Sequence, residues 1–330
     1  MARIGLVLGA GGIVGGAFHA GSVAALAEAT GWDARDADVI VGTSAGSVVA
    51  ASLRAGLPPA DHLARITGGP LTAEGARLLR AAPPRPAASF DPRDLLAGAR
   101  RPVAPHLALG ALVRPGRVRP GAAIAGMLPA GRNPTESIGD GIRALYGSVR
   151  WPARPLEICA VRLRDGHLAV FGREAGLPEV DVGRAVEASC AIPGFFRPVR
   201  IGSDTFVDGG VHSPSNAGLL RDRGLDLAVV ISPMSVAPAA LRASLGTGRS
   251  LPALMLGREV RSLRRAGTTV LVVEPGVADT PVMGRNAMDP SRRTVVARQA
   301  RESLLRRIGA AGPDVAGALE ILGGAGTRVR

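Results

Sequence analysis

Gly42-Thr43-Ser44-Ala45-Gly46 follows the apolar run Val39-Ile40-Val41 and precedes Ser47-Val48-Val49-Ala50-Ala51. A G-x-S-x-G segment between a strand and a helix is the setting in which a serine becomes a nucleophile. The sharp turn holds the central residue in a strained conformation with its hydroxyl presented. Gly42 and Gly46 leave room for neighbouring elements and for a substrate. Ser44 would sit at a helix N-terminus, where the dipole favours a developing alkoxide. The chemistry open to such a serine is attack on an acyl carbonyl.

A second chemical element precedes it. Leu6-Val7-Leu8 runs into Gly9-Ala10-Gly11-Gly12-Ile13-Val14-Gly15-Gly16, after which a helix is expected. A glycine turn between strand and helix aims backbone N–H groups outward, and such a nest holds a phosphate or the oxyanion of an ester under attack. The rival is dinucleotide binding. Strict G-x-G-x-x-G fails because Val14 occupies the last position, although the looser spacing Gly9, Gly11, Gly15 fits. Taken alone, this loop reads first as a cofactor loop. Two features turn the reading toward the oxyanion: the elbow serine one strand later, and a second strand that ends in Val41-Gly42-Thr43 with no acidic residue for a ribose.

A nucleophilic serine needs a base. The histidines are His19, His62, His106, His167 and His212, and only His212 follows a late strand. Just before it, Thr205-Phe206-Val207 ends in Asp208-Gly209-Gly210. Read without any resemblance, Asp208 caps a turn, the glycines reverse the chain, and His212 lies at the surface. His19 packs on its helix or supports the glycine loop, and Asn216 bonds a turn near Asp208. Cys159 and Cys190 both lie in apolar stretches and read as core, with neither a disulfide framework nor zinc spacing.

These residues need elements to place them. Short apolar runs predict strands at 3–8, 38–41, 156–163, 167–171, 225–231 and 268–273. Helical patterns fall at 17–29, 47–54, 182–190, 216–223, 252–265 and 291–308. Strand and helix alternate, which implies a mainly parallel sheet covered on both faces within one domain spanning 1–330. Residues 76–120 break the rhythm, with eight prolines and nine arginines against two acids. This predicts an insertion over roughly 70–150, either a lid or an irregular surface excursion. The Gly- and Ala-rich tail from Gly309 is expected to end in loose chain.

Composition narrows the function. The 40 basic residues are all arginine and stand against 27 acids, a net charge of +13. Codon bias explains the absence of lysine but not the excess of positive charge, so an anionic surface is a candidate partner. Aromatics are only 3%, and no basic-aromatic interleaving or DNA-binding motif is present, which argues against nucleic acid. No run of about 18 apolar residues is present to span a membrane, so the default is a cytoplasmic protein able to touch a membrane peripherally.

Four blocks in this order resemble the patatin-like phospholipase family. They are the glycine loop with Phe18-His19-Ala20-Gly21 behind it, Gly42 to Gly46, Ala188-Ser189-Cys190-Ala191-Ile192-Pro193-Gly194-Phe195-Phe196, and Asp208-Gly209-Gly210. The resemblance implies a three-layer α/β/α fold and a Ser-Asp dyad without histidine, needing no metal or cofactor. It makes Ser44 the nucleophile, Asp208 the base, and Gly11 and Gly12 the oxyanion donors. The implied substrate is a fatty-acyl ester, a phospholipid or lysophospholipid first. The loop departs from the family pattern: Ala10 stands at a usual glycine, and no basic residue lies between Gly9 and His19. A non-catalytic relative that binds lipid or a partner is the alternative. Oligomeric state is not legible.

Overall fold

The computed structural model describes residues 2–80, 101–113, 116, 118–242 and 248–326. Its strands are β1 (Ile4–Leu8), β2 (Val39–Thr43), β3 (Leu156–Arg162), β4 (Leu168–Phe171), β5 (Val199–Ile201), β6 (Asp204–Asp208), β7 (Leu227–Ile231) and β8 (Thr269–Val273). The helices are α1 (Gly12–Thr30), α2 (Ala45–Arg54), α3 (Pro59–Thr67), α4 (Ala73–Arg80), α5 (Pro105–Val113), α6 (Pro120–Met127), α7 (Glu136–Tyr146), α8 (Val182–Ser189), α9 (Ser250–Arg265), α10 (Asp279–Met283), α11 (Arg293–Gly309) and α12 (Pro313–Gly326).

All eight strands belong to one mixed, mostly parallel sheet. The parallel part runs β3-β2-β1-β7-β8, and β4, β5 and β6 add antiparallel pairs. Side chains alternate across it as the two-residue period of a strand requires. Leu6, Leu8, Ile40, Ile158, Val229 and Ile231 pack on one face with α1, α2, α8 and α11, while Val7, Val41, Cys159, Ala228 and Val230 pack on the other with α9. The result is the expected three-layer α/β/α arrangement. Strands buried on both faces explain why these segments read as unbroken apolar runs.

One detail of register builds the site. β4 pairs with β3 over residues 158–161, whereas β2 pairs with it up to Cys159 and β6 from Ala160 onward. A strand has two edges, so β2 and β6 must share the one that β4 leaves open. They meet end to end there, Thr43 opposite Cys159 and Asp208 opposite Ala160. The residue after Thr43 is Ser44. Parallel and antiparallel neighbours on one edge thus bring together two positions 164 residues apart in the chain.

Three expectations need correction. The first helix begins at Gly12, not at residue 17, because Gly15 and Gly16 are helical and Gly15 packs against the Pro233 ring. The segment 216–223 forms only a 3-10 turn, Ala217–Leu220, since Asn216 and Asp222 both take positive φ and break a helix at each end. Much of the tail is helical: α12 buries Ala318 and Leu322, one turn apart, in the main core, and its end at 327–330 lies outside the described residues. Of the expected insertion, α7 places Ile142 and Leu145 in that core, and Arg143 and Arg184 clamp the fully buried Glu187. Residues 81–100 lie outside the described residues.

Candidate active site

Ser44 adopts φ 53 and ψ −124 at the junction of β2 and α2. This positive φ is costly for a residue with a Cβ, and it is the conformation that an elbow imposes on its central residue. What holds it there is packing around the two glycines. A Cβ at Gly46 would lie 1.9 Å from the carbonyl oxygen of Leu8, and one at Gly42 would lie 2.6 Å from the Ser47 Cα. The elbow is therefore wedged between the end of β1 and the first turn of α2. Its backbone is tied as well: the Ser44 N–H donates to Ser189 Oγ at 2.9 Å, and Ser189 Oγ donates to the Cys159 carbonyl at 2.6 Å. Ser47 Oγ donates to the Ser44 carbonyl at 2.6 Å.

Asp208 closes β6 and is almost fully buried. Its Oδ1 accepts the Gly210 N–H at 2.7 Å, and its own N–H donates to the Ala191 carbonyl at 2.9 Å. Burial pushes the carboxyl up to about 6, and the neighbouring Ser44 hydroxyl and the Gly210 N–H hold it from rising further. Gly209 is pressed on the Cys159 carbonyl and Gly210 faces Ala10 of the first loop, so Asp208-Gly209-Gly210 packs against both neighbouring loops. The serine and the aspartate are thus brought together.

Asn216 joins their two loops. Its Nδ2 donates to Thr43 Oγ1 at 3.0 Å, to the Ser213 carbonyl at 2.8 Å and, more weakly, to the Gly209 carbonyl at 3.4 Å. Its Oδ1 lies 2.9 Å from His212 Nδ1, so the histidine serves this turn. Glu259 of α9 anchors the same loop through Ser213 Oγ at 2.8 Å, the Ala217 N–H at 3.1 Å and Ser215 Oγ. The sequence pointed to Asn216 near Asp208. Ser189 lies in one of the blocks that carry the resemblance, but nothing in the sequence gave it this role, and nothing pointed to Glu259, supplied from another layer.

The glycine loop is a short turn capped by a helix. The Gly9 N–H donates to the Ile231 carbonyl and the Ala10 N–H to the Pro214 carbonyl. Gly11 is the N-cap of α1 and Gly12, at φ 61, is its first residue. Gly12 is held beneath Ala287 and Met288, where a Cβ would come within 2.7 Å of the Ala287 carbonyl. Among the described residues the N–H groups of Gly11 and Gly12 have no acceptor, as expected of a helix N-terminus kept for an anion. His19 Nε2 lies 2.7 Å from the Gly9 carbonyl, and burial lowers its pKa to about 4, so a neutral ring supports the loop.

Ser44 and Gly12 line one cavity of about 330 Å³. Its interior is apolar, with Ala17, Ala20, Val48, Val49, Ile66 and Ile138, and Ile192 and Phe196 form part of the wall. Arg65 and Arg293 stand exposed on its lining, brought together by the Thr294 hydroxyl bonded to the Ile66 carbonyl at 3.0 Å. No carboxylate lines it among the described residues. Cys190 also lines it, but burial pushes its thiol up, as it does for Cys159, and both stay protonated. Among the described residues no group of three or more metal-ligating side chains occurs.

A family model described as patatin-like phospholipase matches residues 6–221. Among solved structures the chain is similar to the type III effector protein ExoU, at 19% identity over 94% of this chain and 53% of that one, with a TM-score of 0.36. It is also similar to VipD from Legionella pneumophila, at 12% identity over 94% of this chain and 67% of that one, with a TM-score of 0.39. The chain therefore spans about half the length of ExoU and about two thirds of VipD.

Proposed function

The chain belongs to the patatin-like phospholipase family, and from that premise we propose that it cleaves fatty-acyl esters through a Ser44-Asp208 dyad. The observation that carries the reading is the buried Asp208 carboxylate beside the hydroxyl of a strained elbow serine, at the wall of an apolar cavity. Ser44 Oγ attacks the acyl carbon while its proton passes to Asp208. The carbonyl oxygen becomes an oxyanion facing the free N–H groups of Gly11 and Gly12, where the α1 dipole adds to the hydrogen bonds. Collapse breaks the ester bond, and the alcohol leaves with the proton from Asp208. Water then attacks the acyl-serine, Asp208 takes the water's proton and returns it to Ser44 Oγ, and the fatty acid departs.

A carboxylate is a weak base for an alcohol, and the rise of Asp208 toward pH 6 moves it in the useful direction. The apolar interior suits an acyl chain. Arg65 and Arg293 bring positive charge to the lining, which suits an ester bearing a phosphate and favours phospholipid or lysophospholipid. The test is fatty-acid release from a panel of phosphate-bearing and neutral acyl esters, comparing the parent with Ser44→Ala. Release confined to the parent and greatest with phosphate-bearing esters supports the reading. Equal release by both overturns the role of Ser44, and none from any ester overturns the reading in favour of a lipid-binding relative.

A further inference from the structure

α5 and α6 carry no charged residue, yet each exposes an apolar face to solvent. On α5 this face is Leu109, Leu112 and Val113, at 61%, 79% and 66% exposure; on α6 it is Ile124 and Met127, continued by Leu128 just past its end and led by Ile124 at 65%. Spacings of three and four residues put each set on one side of its helix. The buried residues Leu107 on α5 and Ala122 and Ala125 on α6 lie on the opposite sides, and Leu107 and Ala122 pack with Val161, Leu163 and Val207. Both apolar faces therefore point away from the body of the protein. A helix apolar all round belongs in a core or at a lipid boundary, and an exposed apolar patch of this kind marks an interaction site.

The position of the hairpin relates it to the active site. Its base packs on Val161 and Leu163 at the end of β3 and on Val207, the residue before Asp208, and Gly121 touches the Val211 carbonyl. The chain leaving α6 lays Gly131 on Phe195 and Phe196, bonds the Asn133 N–H to the Phe195 carbonyl at 3.3 Å, and then places Pro134 and Ile138 in the cavity wall. Asp165 and Asp204 at the hairpin's base are paired with Arg162 and Arg164, and the hairpin's own sequence carries charge of one sign. Residues 95–135 contain six arginines and no acid. Among the described residues Arg101, Arg119 and Arg132 are exposed and make no ion pair.

We propose that α5 and α6 are the docking element of this protein for an anionic lipid surface, their apolar faces entering the interface while the flanking arginines meet the phosphates. The charge complementarity chooses the occupant. Among the described residues no helix is long and apolar enough to cross a membrane, which agrees with an element that lies in the surface. The arginine stripe Arg258, Arg261 and Arg265 of α9 lines no part of the catalytic cavity and serves here as the control for net charge.

The proposal rests on the lipid-hydrolase reading, but its test does not depend on turnover. Ser44→Ala protein is sedimented with vesicles of phosphatidylcholine containing phosphatidylserine. Adding Leu109→Ser, Leu112→Ser and Ile124→Ser is expected to weaken binding at least tenfold, while Arg258→Ala/Arg261→Ala/Arg265→Ala weakens it far less. In the Ser44-intact chain, the same three serine substitutions are expected to leave hydrolysis of a soluble short-chain ester unchanged, which shows that the fold is kept. Undiminished vesicle binding by the hairpin variant would overturn the proposal. So would a loss equal to that of the stripe variant, or a dimer that becomes monomeric when the hairpin is substituted. If vesicles bind as expected but no ester is cleaved, it is the hydrolase reading that fails.

Discussion

Replacing Asp208 with asparagine separates what the carboxylate does for chemistry from what it does to the fold. The side chain is almost fully buried, and its pKa is raised from 3.8 to about 6 chiefly by that burial. In the native chain the group therefore keeps a proton that the unfolded chain has already released. Raising the pH from 3.8 through about 6 weakens the fold, and above that range the loss is complete. About two pH units at ~1.4 kcal/mol each amount to on the order of 3 kcal/mol. Asparagine keeps an oxygen for the Gly210 N–H and has no charge to desolvate. Asp208→Asn should thus be more stable than the parent by on the order of 2–3 kcal/mol at about pH 8, with the gain falling under ~1 kcal/mol at about pH 4. Urea unfolding followed by circular dichroism at both values measures this. The same variant should lose on the order of 10⁴ in esterase turnover. In the parent, kcat/KM should rise with pH through about 6 as the base ionises. A variant with no stability gain at the higher pH would refute burial as the origin of the raised pKa.

Other substitutions probe the scaffold around the dyad. Ser189→Ala leaves the buried Ser44 N–H without its acceptor and should cost about 1–3 kcal/mol in unfolding free energy. Turnover should fall more than KM changes, because the elbow and not the cavity is disturbed. Gly46→Ala drives a Cβ into the Leu8 carbonyl at 1.9 Å, so soluble folded protein should be scarce and any that is purified should unfold with a loss above ~3 kcal/mol. Asn216→Ala removes the donor shared by the Thr43 hydroxyl and the Gly209 and Ser213 carbonyls. It should lower kcat by roughly 10–100-fold if a small displacement of the dyad is as damaging as positioning arguments hold. A kinetically normal Asn216→Ala chain would remove that residue from the positioning network.

Much of the site could be read from residue order because its parts are local. Gly42 to Gly46 shows its elbow in five residues, and the strand before it and helix after it formed as expected. The strand ending at Asp208 was legible, and the resemblance assigned it to the serine; what joins them is the shared edge of β3, a matter of pairing that no local pattern announces. The glycine loop misled the placement of α1 because five glycines look like an extended loop. Gly15 and Gly16 are nonetheless helical, and Gly15 lets α1 pack closely against Pro233. Ser189 and Glu259 act through hydrogen bonds across long separations, and such partners have no signature in composition or period. The helix in the tail was missed for the opposite reason. Small residues suggested loose chain, but Ala318 and Leu322 find a groove already built by α1 and β8.

The central claim is that Ser44, activated by Asp208, forms a covalent bond with the substrate's acyl carbon. A fluorophosphonate reports this directly, since it reacts only with an activated serine. Intact-mass analysis of the parent should show one adduct, and fragmentation should place it on Ser44. Ser44→Ala should take no label, and Asp208→Asn should label far more slowly. An adduct on another serine, or labelling that persists in Ser44→Ala, would contradict the account.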